Sequence, residues 1–351
     1  MPVLRILHLV GSAYNHFYCE LSRNYAQSCL VATANPSLYD FLIAYITLDG
    51  QWRFPSSLSP EDIAVAKPML LSDAIQFITA QNIDLMLPQM FCLPGMTDYR
   101  ALFDLLKIPY IGNTPDVMAI TAHKARTKAI VAAAGVKVPS GELLRQGDVP
   151  TITPPVVIKP ANADNSLGVS LVKEKSEYDA ALKKAFEFAS EVIVETFIEA
   201  GREVRCGAIV KDGELIGLPL EEYQIDPQIR PIRSYTDKFK IPIEGDLAST
   251  AKNYVPGWIV DINDPITQKV QQEVKKCHLA LGCRHYSLFD FRIDPQGQPW
   301  FLEAGLFCIF DHNAVIASTA NAAGIPLNEL FMTAVNEALS ARDLMSGKSP
   351  F

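Results

Sequence analysis

The chain has 351 residues, 49% of them hydrophobic and 20% charged, enough for two or three domains with cores of their own. A formal charge of -8 and a pI near 5.3 argue against a surface that coats nucleic acid or other polyanions, and leave small molecules, met in a local basic pocket, as the expected partners. Seven cysteines without a Cys-x-x-Cys pair, and apolar runs always broken by Pro, Asn or Asp, describe a cytoplasmic protein with reduced thiols and no membrane partner.

The first 110 or so residues alternate strand and helix signals. Ile6 to Val10 reads as a strand leading into Gly11-Ser12, and Cys19 to Ala26 as a helix. Leu42 to Leu48 is strand-like, Met69 to Gln81 helical, Ile83 to Leu87 strand-like and Asp98 to Leu106 helical. Such alternation implies a parallel sheet covered on both faces, with ligands at the carboxyl ends of its strands. Thr121 to Ala134 is a helix stopped by Gly135, and its alternate bases Lys124, Arg126 and Lys128 cannot all share one face.

Val156 to Ile158 forms an apolar run that ends in Lys159, passes through the small polar loop Ala161 to Gly168, and returns as Val169 to Val172. This is a hairpin whose lysine and loop backbone could hold a nucleotide's phosphates. An ordinary solvent-facing lysine beside a turn fits the same spacing. A helix over Ser176 to Ala189 and a strand over Glu191 to Glu195 follow. After Gly201-Arg202-Glu203, strands at Val204 to Val210 and Leu215 to Leu218 flank the turn Lys211-Asp212-Gly213. Residues 223 to 257 carry long loops. Near the end, Ser287 to Ile293 and Pro299 to Glu303 form a hairpin across Asp294-Pro295-Gln296-Gly297. Asp290 and Glu303 would then meet on one face, where Mg²⁺ with phosphates, or simple pairing with Arg292 or Lys238, would offset their repulsion.

The order of these motifs resembles the ATP-grasp ligases, and among them the D-alanine:D-alanine ligase type. The resemblance covers nearly the whole chain and is strongest from about residue 109 onward. It implies an α/β (α+β) fold of three domains: a parallel-sheet domain over 1–112, a central ATP-grasp domain over 113–195 and a catalytic domain over 196–351. It implies ATP and Mg²⁺ as cofactors, with Lys124 and Lys159 on the phosphates beneath a mobile loop that includes Asn165, Ser166 and Gly168. Glu195, Thr196, Phe197 and Ile198 resemble the adenine hinge, Glu203 the ribose carboxylate, Lys238 a phosphate contact, and Asp290 with Glu303 the metal ligands.

The departures lie at the acceptor end. The family's Glu-x-Asn becomes Glu303-Ala304-Gly305, its arginine before the metal aspartate becomes Leu288, and its His-Gly-x-x-Gly motif gives way to Gln89-Met90-Phe91. Arg292, on the same strand face as Asp290, is the expected substitute cation, so Arg292 and Lys238 are the candidate catalytic residues. Overall the chain looks most like the ligases of mycosporine-like amino acid biosynthesis, which join serine or threonine to mycosporine-glycine. A carboxylate-amine peptide ligase and a catalytically silent ATP-binding protein are the alternatives. The expected partners are a small-molecule acceptor and an amino acid, without nucleic acid or membrane; a homodimer is compatible with this reading.

Overall fold

The computed structural model describes residues 3–163, 166–199, 201–226, 231–232, 257–307 and 309–347. The first sheet has the order β3-β2-β1-β4. Its parallel centre is β1 (Leu4–Gly11) between β2 (Tyr39–Ile46) and β4 (Leu85–Pro88). The short β3 (Trp52–Arg53) joins β2 antiparallel, so the sheet expected to be parallel carries one reversed edge strand. Helices α1 (His16–Thr33), α2 (Pro60–Val65), α3 (Leu71–Ala80), α4 (Leu93–Met96) and α5 (Asp98–Leu105) connect the strands. The α1 helix begins three residues before the apolar pattern suggests, because the Asn15 side chain caps it by accepting from the Tyr18 amide at 2.9 Å. Gly11 ends β1 at φ +96, where an added Cβ would sit 2.1 Å from the Ile46 carbonyl oxygen, so no other residue fits that turn.

Two short helices follow, α6 (Pro115–Thr121) and α7 (Lys124–Ala133); α7 is the helix expected over Thr121 to Ala134, begun three residues later, and α6 precedes it. His123 separates them and caps α7. Their buried residues Val117, Met118 and Val131 share a core with Val204, Phe289 and Phe301 of the third sheet. The second sheet, order β5-β8-β6-β7, is antiparallel: β5 (Gly141–Arg145), β6 (Val156–Pro160), β7 (Ser170–Val172) and β8 (Glu191–Thr196), backed by α8 (Tyr178–Phe186). The expected hairpin is present, with Val156 opposite Val172 and Ile158 opposite Ser170.

The third sheet, order β11-β10-β9-β12-β13, is antiparallel throughout. It contains β9 (Arg202–Lys211), β10 (Glu214–Tyr223), β11 (Trp258–Ile259), β12 (Tyr286–Ile293) and β13 (Pro299–Ala304). Helices α9 (Pro265–Ala280), α10 (Val315–Ala322) and α11 (Leu327–Gly347) complete the described chain. The first sheet is seated against the third by polar bonds at the Gly112-Asn113 corner. The Gly112 amide donates to His285 Nδ1 at 2.9 Å, and Arg284 Nε donates to the Gly112 carbonyl at 2.7 Å. Beside that corner, Ile6, Leu85 and Ile111 pack with Ile209, Tyr286 and Phe331 in one core, which holds the first sheet against the third. Among the described residues no helix is long and apolar enough to cross a membrane, and the six described cysteines are unpaired thiols.

Candidate active site

Lys159, next to last in β6, lies on the face that also carries Glu195, whose register partner is Val157, two residues back along β6. The Glu195 carboxylate accepts an ion pair on each oxygen, from Lys159 on one side and Lys128 on the other. All three side chains are buried. Burial opposes the charge on Glu195, but the ammonium groups of Lys128 and Lys159 outweigh it and hold the carboxyl below its usual range. Burial likewise dominates at Lys128 and pulls it down to about 8 despite Glu195. Two cations sharing one carboxylate leave a net positive charge in a low-dielectric pocket, a ready site for phosphate.

Lys124 lies one turn before Lys128 on α7, and this i, i+4 pair faces inward while Arg126 is exposed. Lys124 Nζ donates to the Ala163 carbonyl at the start of the loop and stands 3.7 Å from Glu303 Oε2. It therefore links the loop to the candidate metal carboxylates. In the loop, Ser166 takes φ +61 and Gly168 φ +70. A Cβ at Gly168 would lie 2.8 Å from both Pro160 and Phe188, so glycine lets the loop fold down onto β6. Asn165 and Lys238 lie outside the described residues.

The hinge is braced by its backbone, Thr196 donating to the Ser140 carbonyl at 2.8 Å and Phe197 to that of Pro155 at 3.0 Å. Arg292, expected beside the reacting oxygen, is engaged at this end. Its Nη2 donates to Glu203 Oε2 at 2.8 Å and to the Pro231 carbonyl at 3.0 Å, its Nη1 donates to the Ile198 carbonyl at 3.2 Å, and its Cζ stands 5.4 Å from the centre of the Phe197 ring. A guanidinium held this way orients Glu203 and the hinge.

One face of the third sheet carries a cross-strand row of Glu221, Arg205, Asp290 and Glu303, each opposite the next. A β-bulge on β13 makes the row. Pairing runs Arg292 with Trp300 and Phe291 with Phe301, then skips Leu302 to set Glu303 against Asp290. Arg205 grips Asp290 side-on, Nε to Oδ1 at 2.8 Å and Nη2 to Oδ2 at 3.2 Å. Burial works against the Arg205 charge and the Asp290 carboxylate outweighs it, raising the guanidinium's pKa.

Two facing carboxylates are hard oxygen donors that suit Mg²⁺, an ion that keeps several waters. Among the described residues no group of three His, Cys, Asp or Glu side chains could cage a metal, so Asp290 and Glu303 would hold it with phosphate and water. A Cβ on Gly305 meets nothing within 4 Å, which leaves the space of the missing asparagine open to solvent. Two residues on, Phe307 belongs to an aromatic group. Phe91 stands edge-on to Tyr25 of α1 at 5.3 Å and to Phe307 at 5.6 Å.

In the sequence Lys128 is noted only as one of the alternate bases of its helix and not as a site residue, and Arg205 is not noted at all. The i, i+4 spacing from Lys124 could have revealed the first, and the period-two spacing from Glu203 the second.

Residues 140–336 match the family described as the D-ala D-ala ligase C-terminus. A D-alanine–D-alanine ligase of Citrifermentans bemidjiense is 30% identical over 245 residues, 68% of this chain and 73% of that protein. The VanG D-Ala:D-Ser ligase of Enterococcus faecalis superposes with a TM-score of 0.78 at 23% identity, over 96% of this chain and 99% of that one. The Bacillus anthracis D-alanine–D-alanine ligase complexed with ATP gives 0.72 at 20% identity, over 98% and 100%. These likenesses define the class as an ATP-dependent ligase that forms a carbon–nitrogen bond. Within that class, the chain belongs to the D-alanine–D-alanine ligase family.

Proposed function

We propose that this ligase phosphorylates an oxygen of a ring acceptor, mycosporine-glycine, and condenses it with an amino acid such as serine or threonine. The observation that carries the ring acceptor is the aromatic group formed by the half-buried Tyr25 and Phe307 around the buried Phe91, the residue that ends the Gln89-Met90-Phe91 replacement of the family's first-alanine motif. A planar ring gains contact area and edge-to-face geometry there that a single methyl side chain cannot use. The relatives give better support to the second reading, a carboxylate-amine ligase, since their names specify D-alanine or D-serine.

ATP would place its adenine at Thr196–Ile198, its ribose on Glu203 and its phosphates among Lys124, Lys128 and Lys159, under the loop at Ser166 and Gly168. Mg²⁺ at Asp290 and Glu303 would neutralise phosphate charge there. The γ-phosphoryl group passes to the acceptor oxygen and ADP is released. The amino acid's nitrogen then bonds to the activated carbon, phosphate leaves with the C–O electron pair, and the nitrogen gives up a proton to water. The three lysines bind and align, so their contribution is positional and electrostatic.

The test is incubation with ATP, Mg²⁺, a panel of amino acids and either mycosporine-glycine or D-alanine, with products detected by mass. ADP, phosphate and the ring imine are expected with mycosporine-glycine. A dipeptide product alone would establish the second reading, and no ADP release with any pair would refute both.

A further inference from the structure

We infer that Arg205 is the acceptor-positioning arginine of this site, a clamp that Asp290 aims so that its remaining donors meet a carboxylate carried by the acceptor. The inference rests on the ligase reading but holds for either acceptor, because mycosporine-glycine and an amino acid both bear a carboxylate.

Side-on pairing through Nε and Nη2 fixes the guanidinium plane and uses two of its five N–H groups. The bonds of Arg205 to described residues run through Nε and Nη2, none through Nη1, and the side chain keeps 25% of its surface exposed. Arg205 Cζ is 5.9 Å from the centre of the Tyr223 ring of β10. Burial raises the pKa of the Tyr25 hydroxyl on α1, with the Asp311 charge adding to the rise and the Arg205 charge opposing it. Tyr25 also belongs to the aromatic group, so the Arg205 charge is felt at that group. Arg292 cannot serve, being engaged with Glu203, Ile198 and Pro231. An arginine kept only to neutralise Asp290 would have no need of that exposed surface.

Calorimetry on protein loaded with Mg²⁺ and a non-hydrolysable ATP analogue tests the clamp, with mycosporine-glycine and D-alanine as titrants and their methyl esters as controls. Arg205→Gln should weaken binding of the acid form by at least about tenfold, leave analogue affinity within about threefold, and erase the preference for acid over ester. Arg205→Lys keeps the charge beside Asp290 without the fork and should restore part of the loss. The clamp is overturned if the variants bind the acid like wild type, if they lose the Mg²⁺-analogue complex equally, or if neither acid binds wild type. Product formation is scored separately, so a protein that binds the acids through Arg205 yet forms no product sustains the clamp while sinking the proposed function.

Discussion

The lysine knot around Glu195 and the carboxylate row through Asp290 are two buried charge clusters of opposite sign. In the knot, two ammonium groups share one carboxylate and Lys124 stands nearby, so the excess is positive. In the row, among the described residues, the carboxylates of Glu221, Asp290 and Glu303 line up with the guanidinium of Arg205, so carboxylates predominate. A buried ion pair contributes little net stability because desolvation cancels most of the attraction. An unbalanced one is understandable where a ligand completes the charge: an anion at the knot, a cation at the row. On the proposed function the two clusters are halves of one Mg²⁺-nucleotide site that the ligand joins; Lys124, 3.7 Å from Glu303 and bonded to the Ala163 carbonyl, already links the row to the loop.

Removing a carboxylate from the row should break this contrast most. Glu303→Gln is expected to lower Mg²⁺-dependent ADP release by more than about a hundredfold with little change in melting temperature. Asp290→Asn should do the same and also destabilise by about 1–3 kcal/mol, because it weakens the partner of a largely buried guanidinium. A stable, fully active Glu303→Gln protein would remove the metal assignment.

Next in size is Glu195→Gln, which leaves two buried ammonium groups without their counter-ion. It should cost about 3–5 kcal/mol, read as a fall in thermal or urea midpoint. Added ATP should recover part of the loss by supplying the anion. Recovery by Mg²⁺ alone would mean that the knot is not the phosphate pocket.

Lys128 gives a smaller, pH-dependent effect. Its charged form is the one that attracts phosphate, and in the free protein that form is lost as pH rises through about 8. ATP affinity should therefore be full below that pH and decline above it, and Lys128→Met should flatten the profile. The same depression means the folded chain holds this proton less tightly than the unfolded one, so Lys128 detracts from stability at neutral pH and the penalty fades as pH rises from about 8 toward the ordinary lysine value.

The mildest change is Gly305→Asn. With open space around the new Cβ, the substitution should fold normally and tighten Mg²⁺ by up to about tenfold, measured by the Mg²⁺ dependence of turnover. Unchanged Mg²⁺ dependence would show that this end of the row does not face the metal.

The sequence by itself determined the alternating strands and helices of the first sheet, the hairpin at Lys159 and the strand identities at Asp290 and Glu303, because apolar periodicity and turn residues report local backbone directly. Family resemblance then gave the site its order along the chain. What it could not give is cross-strand register. Continuing the tight pairing from Ile293 with Pro299 would set Asp290 against Leu302 and turn Glu303 to the opposite face, and only the bulge at Leu302 brings the two carboxylates together. Period-two spacing correctly put Arg292 on the face of Asp290, yet the nearest partners across β9 gave Glu203 to Arg292 and Arg205 to Asp290. Lys128 had the same limitation, since a helix face is readable but not the carboxylate on another strand that meets it. Local pattern fixes which way a side chain points; the charge it meets depends on contacts 67 and 85 residues away, which only tertiary packing decides.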